Sequence, residues 1–306
     1  MTATNLWGQV TCLQSGFYTV QVESVFESIT CRLRGRLKRE RVHGEIVALG
    51  DRVRLQKLSD GSGIIEEVSP RTHALVRMAP SARGLYQQVL LANPDQVVFV
   101  FSCANPSPHL RMLDRFLVIA EQQKIPPLIV ANKTDLIDFE LASRMFAPYL
   151  PIGYPVLFTS IKTRRGLDEL RERLTHKISA LAGPSGVGKS SLLNSIQPEL
   201  GLAVREVSEA TTKGRHTTVV RQLFPLQGGG YVADLPGMRM LSLWDIQPEE
   251  LDGYFPELRD LVQNCQFNDC THLNEPGCAV RAGVESGQVA KERYDSYLRL
   301  RFGEEG

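Results

Sequence analysis

The sequence predicts a multidomain chain in which a small β-barrel precedes an α/β domain and a short helical segment built around clustered cysteines comes last. Three observations carry this. Residues 1 to about 73 offer short runs with alternating or β-branched residues and no helical period. From 80 to 240 apolar strands alternate with helix-like segments, the pattern of a largely parallel sheet covered by helices. Beyond 240 the signal is helical but interrupted by Cys265, Cys270 and Cys278 around His272. The expected units are 1–73, 80–240 and 241–306.

In the first unit the runs GFYTVQVE, ITCRLRGRL, EIVALGDRVRLQ and SGIIEEVS are separated by Gly and Asp turns, and a linker is expected to start at Ser69-Pro70-Arg71. Arg32, Arg34, Arg36, Lys38, Arg39 and Arg41 crowd one stretch, opposed only by Glu40 and Glu45. The net charge of +1 hides this local patch. Such a stretch is either a surface for nucleic-acid phosphates or a solvated strand pair.

The second unit reads as DQVVFVFS, the helix LRMLDRFLVIAEQQ, PPLIVAN, YPVLFTS, the charged helix GLDELRERL, and KISALAG. The last helix, VAKERYDSYLRLRF, is expected to be amphipathic. No internal repeat or low-complexity tract stands out. With 306 residues, 42% hydrophobic and 23% charged, the chain can bury a substantial core. No apolar run approaches the roughly 18 residues that cross a bilayer, and MTATNLWGQV lacks a signal-peptide layout. A cytoplasmic monomer with no membrane partner is the expectation.

Gly183-Pro184-Ser185-Gly186-Val187-Gly188-Lys189-Ser190 matches GxxxxGK[ST], follows the apolar run ISALA and precedes SLLNSI. That strand-loop-helix context is what the motif requires. Its glycines let backbone N–H groups and a helix N-terminus face an anion. Lys189 then neutralises β/γ-phosphates, Ser190 supplies a magnesium ligand, and Ser191 joins the nucleotide contacts from the same turn. Downstream, the strand Tyr231-Val232-Ala233 runs into Asp234-Leu235-Pro236-Gly237, a DxxG element. Asp234 can hold magnesium directly or through water, and Gly237 can offer its N–H to a γ-phosphate.

Asn132-Lys133-Thr134-Asp135 follows PPLIVA and matches NKxD. Guanine presents N1–H and an exocyclic amine side by side, both of which the Asp135 carboxylate can accept; adenine lacks that pair. Lys133 is expected along the base, and Thr159-Ser160-Ile161-Lys162 to bring backbone N–H groups to the guanine O6. The selected nucleotide is therefore GTP, with Mg2+.

The order is unusual, because base recognition (132–135, then 160–162) precedes phosphate binding (183–190) and DxxG (234–237). Together with GRHTT at Gly214 to Thr218, DLPGM at 234–238 and the cysteine cluster, this circularly permuted order resembles the RsgA (YjeQ/YloQ) family of small ribosomal subunit biogenesis GTPases over essentially the whole chain. The resemblance implies an OB-fold, a permuted GTPase domain and a zinc-binding helical domain. It also implies the small ribosomal subunit and its rRNA as partners, and late subunit maturation as the process. The alternative is a nucleotide-gated RNA-binding module in which hydrolysis is incidental.

Met238 stands where many GTPases carry a water-orienting glutamine, and a thioether orients water poorly. His216 in SEATTKGRHTT is the nearest catalytic candidate, and the resemblance implies that role. Thr217, or Thr218, is expected to reach magnesium and the γ-phosphate. Slow turnover alone and acceleration by a partner are expected.

Cys265-x4-Cys270-x-His272-x5-Cys278 supplies a Cys3His set suited to one tetrahedral zinc ion with no open position, hence a structural role. Because MRMLSLWD leads from Gly237 straight into this segment, a γ-phosphate-dependent shift at Gly237 is expected to reorient it.

Overall fold

The computed structural model describes residues 5–23, 25, 27–37, 45–81, 84–202, 221–234 and 246–303. Five strands open the chain: β1 (Asn5–Gln14), β2 (Phe17–Val22), β3 (Ser28–Leu33), β4 (Arg52–Lys57) and β5 (Gly63–Val68). They pair β1-β2-β3-β5-β4, and β4 returns to β1, so the sheet closes into a barrel with no free edge among them. Alternate residues point inward, and Val10, Val20, Val22, Ile29, Cys31, Val53, Leu55 and Ile65 fill the interior.

Sequence reading began the barrel at GFYTVQVE and missed β1. The cause is local: the register shifts between Val10 and Cys12, and such a bulge breaks the two-residue period that marks a strand. It also took EIVALG as strand, whereas the chain turns there. Buried Asp51 fixes the turn by accepting from the Ala48 N–H at 2.7 Å and from Arg71 Nη2 at 2.7 Å.

The stretch expected to begin as a linker at Ser69 instead leads into an antiparallel hairpin of β6 (Ala74–Ser81) and β7 (Gly84–Ala92). The Gln123 side chain anchors it at both backbone groups of Val76, accepting from Val76 N–H at 2.9 Å and donating to Val76 O at 3.3 Å.

The α/β region follows as β8 (Gln96–Ser102), α1 (Leu110–Gln122), β9 (Pro127–Asn132), α2 (Phe139–Phe146), β10 (Val156–Phe158), α3 (Leu167–Leu174), β11 (Ile178–Ala182), α4 (Lys189–Ile196), β12 (Arg221–Pro225) and β13 (Tyr231–Asp234). The strand order is β10-β9-β8-β11-β13-β12; all neighbours are parallel except β12 with β13. Every residue of β8 is buried, as a central parallel strand covered on both faces requires. One apolar layer packs α1 and α2 against the sheet, and the opposite layer packs α3 and α4. At its far edge β12 pairs with β1, Cys12 opposite Gln222 and Leu13 opposite Arg221, so a single sheet runs from the α/β core into the barrel.

After a 3-10 turn at Pro248–Tyr254 come α5 (Pro256–Val262), α6 (Ala279–Glu285) and α7 (Lys291–Phe302). Leu251, Phe255, Leu258 and Tyr297 pack against Val118 of α1. The buried face of α7 is not the apolar stripe expected of an amphipathic helix, since it comprises Arg293, Ser296 and Tyr297. Arg293, 1% exposed, donates from Nη1 to Asp114 of α1 at 2.7 Å and from Nε to Glu257 of α5 at 2.7 Å, with Phe255 beneath its guanidinium at 4.6 Å. Ser296 and Tyr149 donate to the same Asp114 carboxylate, Tyr149 at 2.8 Å. Among the described residues no helix is long and apolar enough to cross a membrane.

Removing one member of a buried ion cluster strands the others without countercharge. Arg293→Ala is therefore expected to cost about 3–5 kcal/mol in urea unfolding of the full chain. A loss below about 1 kcal/mol, the scale of an exposed pair, would mean that Asp114 and Glu257 are neutralised some other way.

Candidate nucleotide and metal sites

The carboxyl ends of β9, β10, β11 and β13 lie along one edge of the sheet, which is where ligands sit in open α/β folds. Gly183–Gly188 forms the loop from β11 into α4, and Lys189, Ser190 and Ser191 occupy the first turn of that helix. Gly183 (φ +148°) has no room for a Cβ, which would stand 2.1 Å from the Val100 carbonyl oxygen of β8. At Gly188 (φ +98°) a Cβ would stand 2.6 Å from Asn132 Nδ2. The loop is thus held tight against β8 and the end of β9. Lys189 Nζ donates to the carbonyls of Gly183 at 2.9 Å and Pro184 at 3.0 Å, which holds its charge over the loop. Ser185 is exposed, while Pro184 and Val187 are buried.

The NKxD segment is physically tied to that loop. Asn132 is buried and donates from Nδ2 to Val187 O at 2.8 Å, and its Oδ1 accepts from Thr159 Oγ1 at 3.0 Å. Lys133, in the left-handed region at φ +60°, donates from Nζ to Gly186 O at 2.7 Å and to Asn105 O. Burial lowers the pKa of its ammonium, with Asp135 opposing. Ser160 Oγ donates to Asp135 Oδ1 at 2.6 Å, which sets the carboxylate's orientation, and accepts from Thr163 N–H at 3.2 Å. Ile161 and Lys162 continue the turn after β10, Ile161 packed on the core and Lys162 exposed.

Asp234 ends β13 beside Leu181 of β11. Burial raises its carboxyl pKa, and the Lys189 charge opposes that rise. A desolvated carboxylate facing the loop's lysine is the electrostatic setting for a cation with a triphosphate. His216, Thr217, Thr218, Gly237 and Met238 lie outside the described residues.

Cys265, Cys270, His272 and Cys278 place one ligand atom each within 4.8 Å of one another. His272 Nδ1 lies 3.6 Å from Cys265 Sγ and 3.4 Å from Cys278 Sγ. A tetrahedron with zinc's ordinary Zn–S and Zn–N lengths has an S···N edge of about 3.6 Å, so the donor set fits the ion. The other imidazole nitrogen, Nε2, lies 3.1 Å from Asp252 Oδ2, which leaves Nδ1 to face the sulfurs. Tyr294 OH donates to His272 O at 2.6 Å, and the Glu275 carboxylate accepts from the N–H groups of Thr271, Leu273 and Asn274, which fixes the loop between the ligands.

Residues 68–244 match the family description "RsgA GTPase" and residues 7–65 match "RsgA N-terminal domain". The chain belongs to the RsgA family. It is 48% identical over 278 residues, 90% of each chain, to the small ribosomal subunit biogenesis GTPase RsgA of Gemmatimonas aurantiaca. To the Thermotoga maritima protein of the same name it is 41% identical, over 96% of this chain and 95% of that one. The crystal structure of YjeQ from Thermotoga maritima superposes with a TM-score of 0.80 at 38% identity over 98% of both chains. YloQ, a circularly permuted GTPase, gives 0.76 at 35% identity over 98% of this chain and 95% of that one. This RsgA-family chain accordingly combines an OB-like barrel, a permuted GTPase domain and a C-terminal Cys3His cluster with the geometry to hold a metal ion.

Asp252, Asn105 and the Thr159 hydroxyl went unnoticed in the sequence. Asp252 stands twenty positions before His272 with no motif to mark it. Carboxylate partners of metal-bound histidines tune affinity, so Asp252→Ala is expected to weaken metal retention about ten- to a hundredfold, measured by competition with a chromophoric chelator. Unchanged retention would make the Asp252 contact incidental.

Proposed function

We propose that this chain is a GTPase whose turnover is stimulated by the small ribosomal subunit, and that it assists late maturation of that subunit in the cytoplasm. The observation that carries the reading is the Asn132–Val187 bond, which joins a guanine-type recognition segment to a complete phosphate loop. The names of its relatives, small ribosomal subunit biogenesis GTPases, supply the partner.

The geometry supports the proposed roles of the described residues, and those of His216, Thr217 and Gly237 rest on the sequence motifs. Asp135, oriented by Ser160, accepts from the guanine edge; Asn132 braces the segment; the Lys133 stem lies along the base; the turn Ser160-Ile161-Lys162 meets the O6 side. Gly183 through Gly188, with Ser191, cradle the phosphates, and Lys189 exchanges its loop carbonyls for phosphate oxygens. Ser190 and Thr217, with Asp234, would hold Mg2+, which supplies charge neutralisation between β- and γ-phosphates when bound. Gly237 is assigned to the γ-phosphate and His216 to orienting the attacking water. Cys265, Cys270, His272 and Cys278 are assigned to a structural zinc ion. Residues 1–73 are taken as the RNA-facing unit and 241–306 as the metal-bearing one, on either side of the 80–240 nucleotide unit.

GTP turnover with purified small subunits is the deciding measurement, with ATP as control nucleotide. Subunits are expected to raise GTP hydrolysis strongly, toward the roughly 10³ to 10⁵ seen where a partner completes a site. ATP should show no such rise. His216→Ala is expected to keep GTP binding and lose about 10²-fold or more of the stimulated rate. Absence of stimulation would leave a nucleotide-gated RNA-binding module, and full activity of the variant would move the catalytic role elsewhere.

A further inference from the structure

The outer surface of the barrel's second and third strands carries an arrangement that the nucleotide chemistry does not use. Val20 and Val22 of β2 and Ile29 and Cys31 of β3 point into the barrel core, so Phe17, Thr19, Gln21, Ser28, Thr30 and Arg32 line the outside. The strands pair Tyr18 with Cys31, which sets Phe17 directly beside Arg32. The Arg32 guanidinium lies over the Phe17 ring, 4.7 Å from its centroid, and Phe17 is 39% exposed. The rest of this face is neutral and rich in hydrogen-bonding groups, with Ser28 Oγ donating to Gln21 Oε1 at 2.8 Å.

Charge accounting and stacking together single out Arg32. Arg34 pairs with Glu66, Arg54 with Glu66 and Glu67, Arg52 with Glu23, and Lys57 with Glu27. Arg36 donates to the Glu66 carbonyl. Arg52 also lies over an aromatic ring, that of Trp7, but both Glu23 oxygens hold its guanidinium. Among the described residues no ion pair involves Arg32. Of the described cations of the basic stretch, Arg34 is paired, whereas Arg32 and Arg36 have no carboxylate partner among the described residues, and Arg32 is the one stacked on an exposed ring.

We propose that Phe17 and Arg32 form a stacking platform for an unpaired RNA base, with Arg32 also meeting the adjoining phosphate. An aromatic face and a planar guanidinium stack any base whose partner does not already cover it, and the second and third strands are the surface on which OB-folds take up single strands. A base within a duplex stem has no free face to offer. The platform rests on the ribosomal reading above and narrows it from RNA in general to a single-stranded segment.

The test is fluorescence anisotropy of the full chain with a labelled oligouridine and with a labelled fully paired RNA hairpin, titrated at several salt concentrations. Phe17→Ala is expected to weaken oligouridine binding about tenfold, leave hairpin binding unchanged and keep the salt slope, while Phe17→Tyr restores affinity. Arg32→Lys keeps the charge but not the plane and is expected to weaken oligouridine binding as well. The basal GTPase rate of each variant, which none of these changes should alter, reports on folding. Oligouridine binding by Phe17→Ala within about twofold of the parent, an equal loss on the hairpin, or no measurable oligouridine binding by the parent overturns the platform. Subunit-stimulated GTPase of the parent chain is measured alongside. Its absence overturns the ribosomal reading itself, whereas stimulation with unaltered Phe17→Ala binding overturns the platform alone.

Discussion

Everything at the nucleotide site depends on one constraint: the carboxyl ends of β9, β10, β11 and β13 must lie side by side, whatever order the chain visits them. Sheet order β10-β9-β8-β11-β13 meets it, because β8 separates the base-side strands from the phosphate-side ones and gives both a common buried neighbour. The Asn132–Val187 bond then spans the gap directly in front of β8. Gly188 is glycine for the same reason, since a Cβ there would strike the Asn132 amide. Permutation changes loops and chain ends while leaving these contacts intact, because parallel pairing depends on adjacency in space and not on sequence order.

The site was legible in the sequence to the extent that its chemistry is local. GPSGVGKS and NKTD each sit at a strand end within a few residues, and the structure brings them within one hydrogen bond of each other. The Cys3His cluster is equally compact. What sequence reading missed is non-local: Asn105 receives Lys133 from a different loop, and Asp252 reaches His272 across a turn of chain that carries no periodic signal. In the fold, buried strands such as VVFVF were plain because both faces are covered, whereas β1 was hidden by its bulge. The β6–β7 hairpin was hidden because Ser69-Pro70-Arg71 just before it read as the start of a linker, although β6 is tied down at Val76 by Gln123.

The basic stretch from Arg32 to Arg41 shows how composition and geometry part company. Six cations in ten residues read either as a surface for nucleic-acid phosphates or as a solvated strand pair. The closed barrel brings β5 beside β3, and with it Glu66, which takes up Arg34 from this stretch and Arg54 of β4. Arg32 and Arg36 keep no carboxylate partner among the described residues, and Lys38, Arg39 and Arg41 lie outside them. Parallel pairing of strands distant in sequence therefore decides which charges remain available to a partner, and no count along the chain can anticipate that.

The C-terminal segment poses the sharpest question about mechanism. Leading directly from the DxxG element, it was expected to swing with a γ-phosphate-dependent shift at Gly237. Among the described residues, however, a buried ion cluster attaches it to α1 of the nucleotide domain. Arg293 of α7 and Ser296 meet Asp114 of α1, and Glu257 of α5 completes the cluster. Swinging this unit away from α1 would separate a buried guanidinium from a buried carboxylate, at a cost of several kcal/mol per ion left unpaired. A single γ-phosphate contact, worth about 1.5–3 kcal/mol as a charged hydrogen bond, does not match that. α1 is also preceded by the loop whose Asn105 carbonyl holds Lys133. Any reorientation of the metal-bearing unit must therefore break its attachment to α1, which ties it to the base-recognition half.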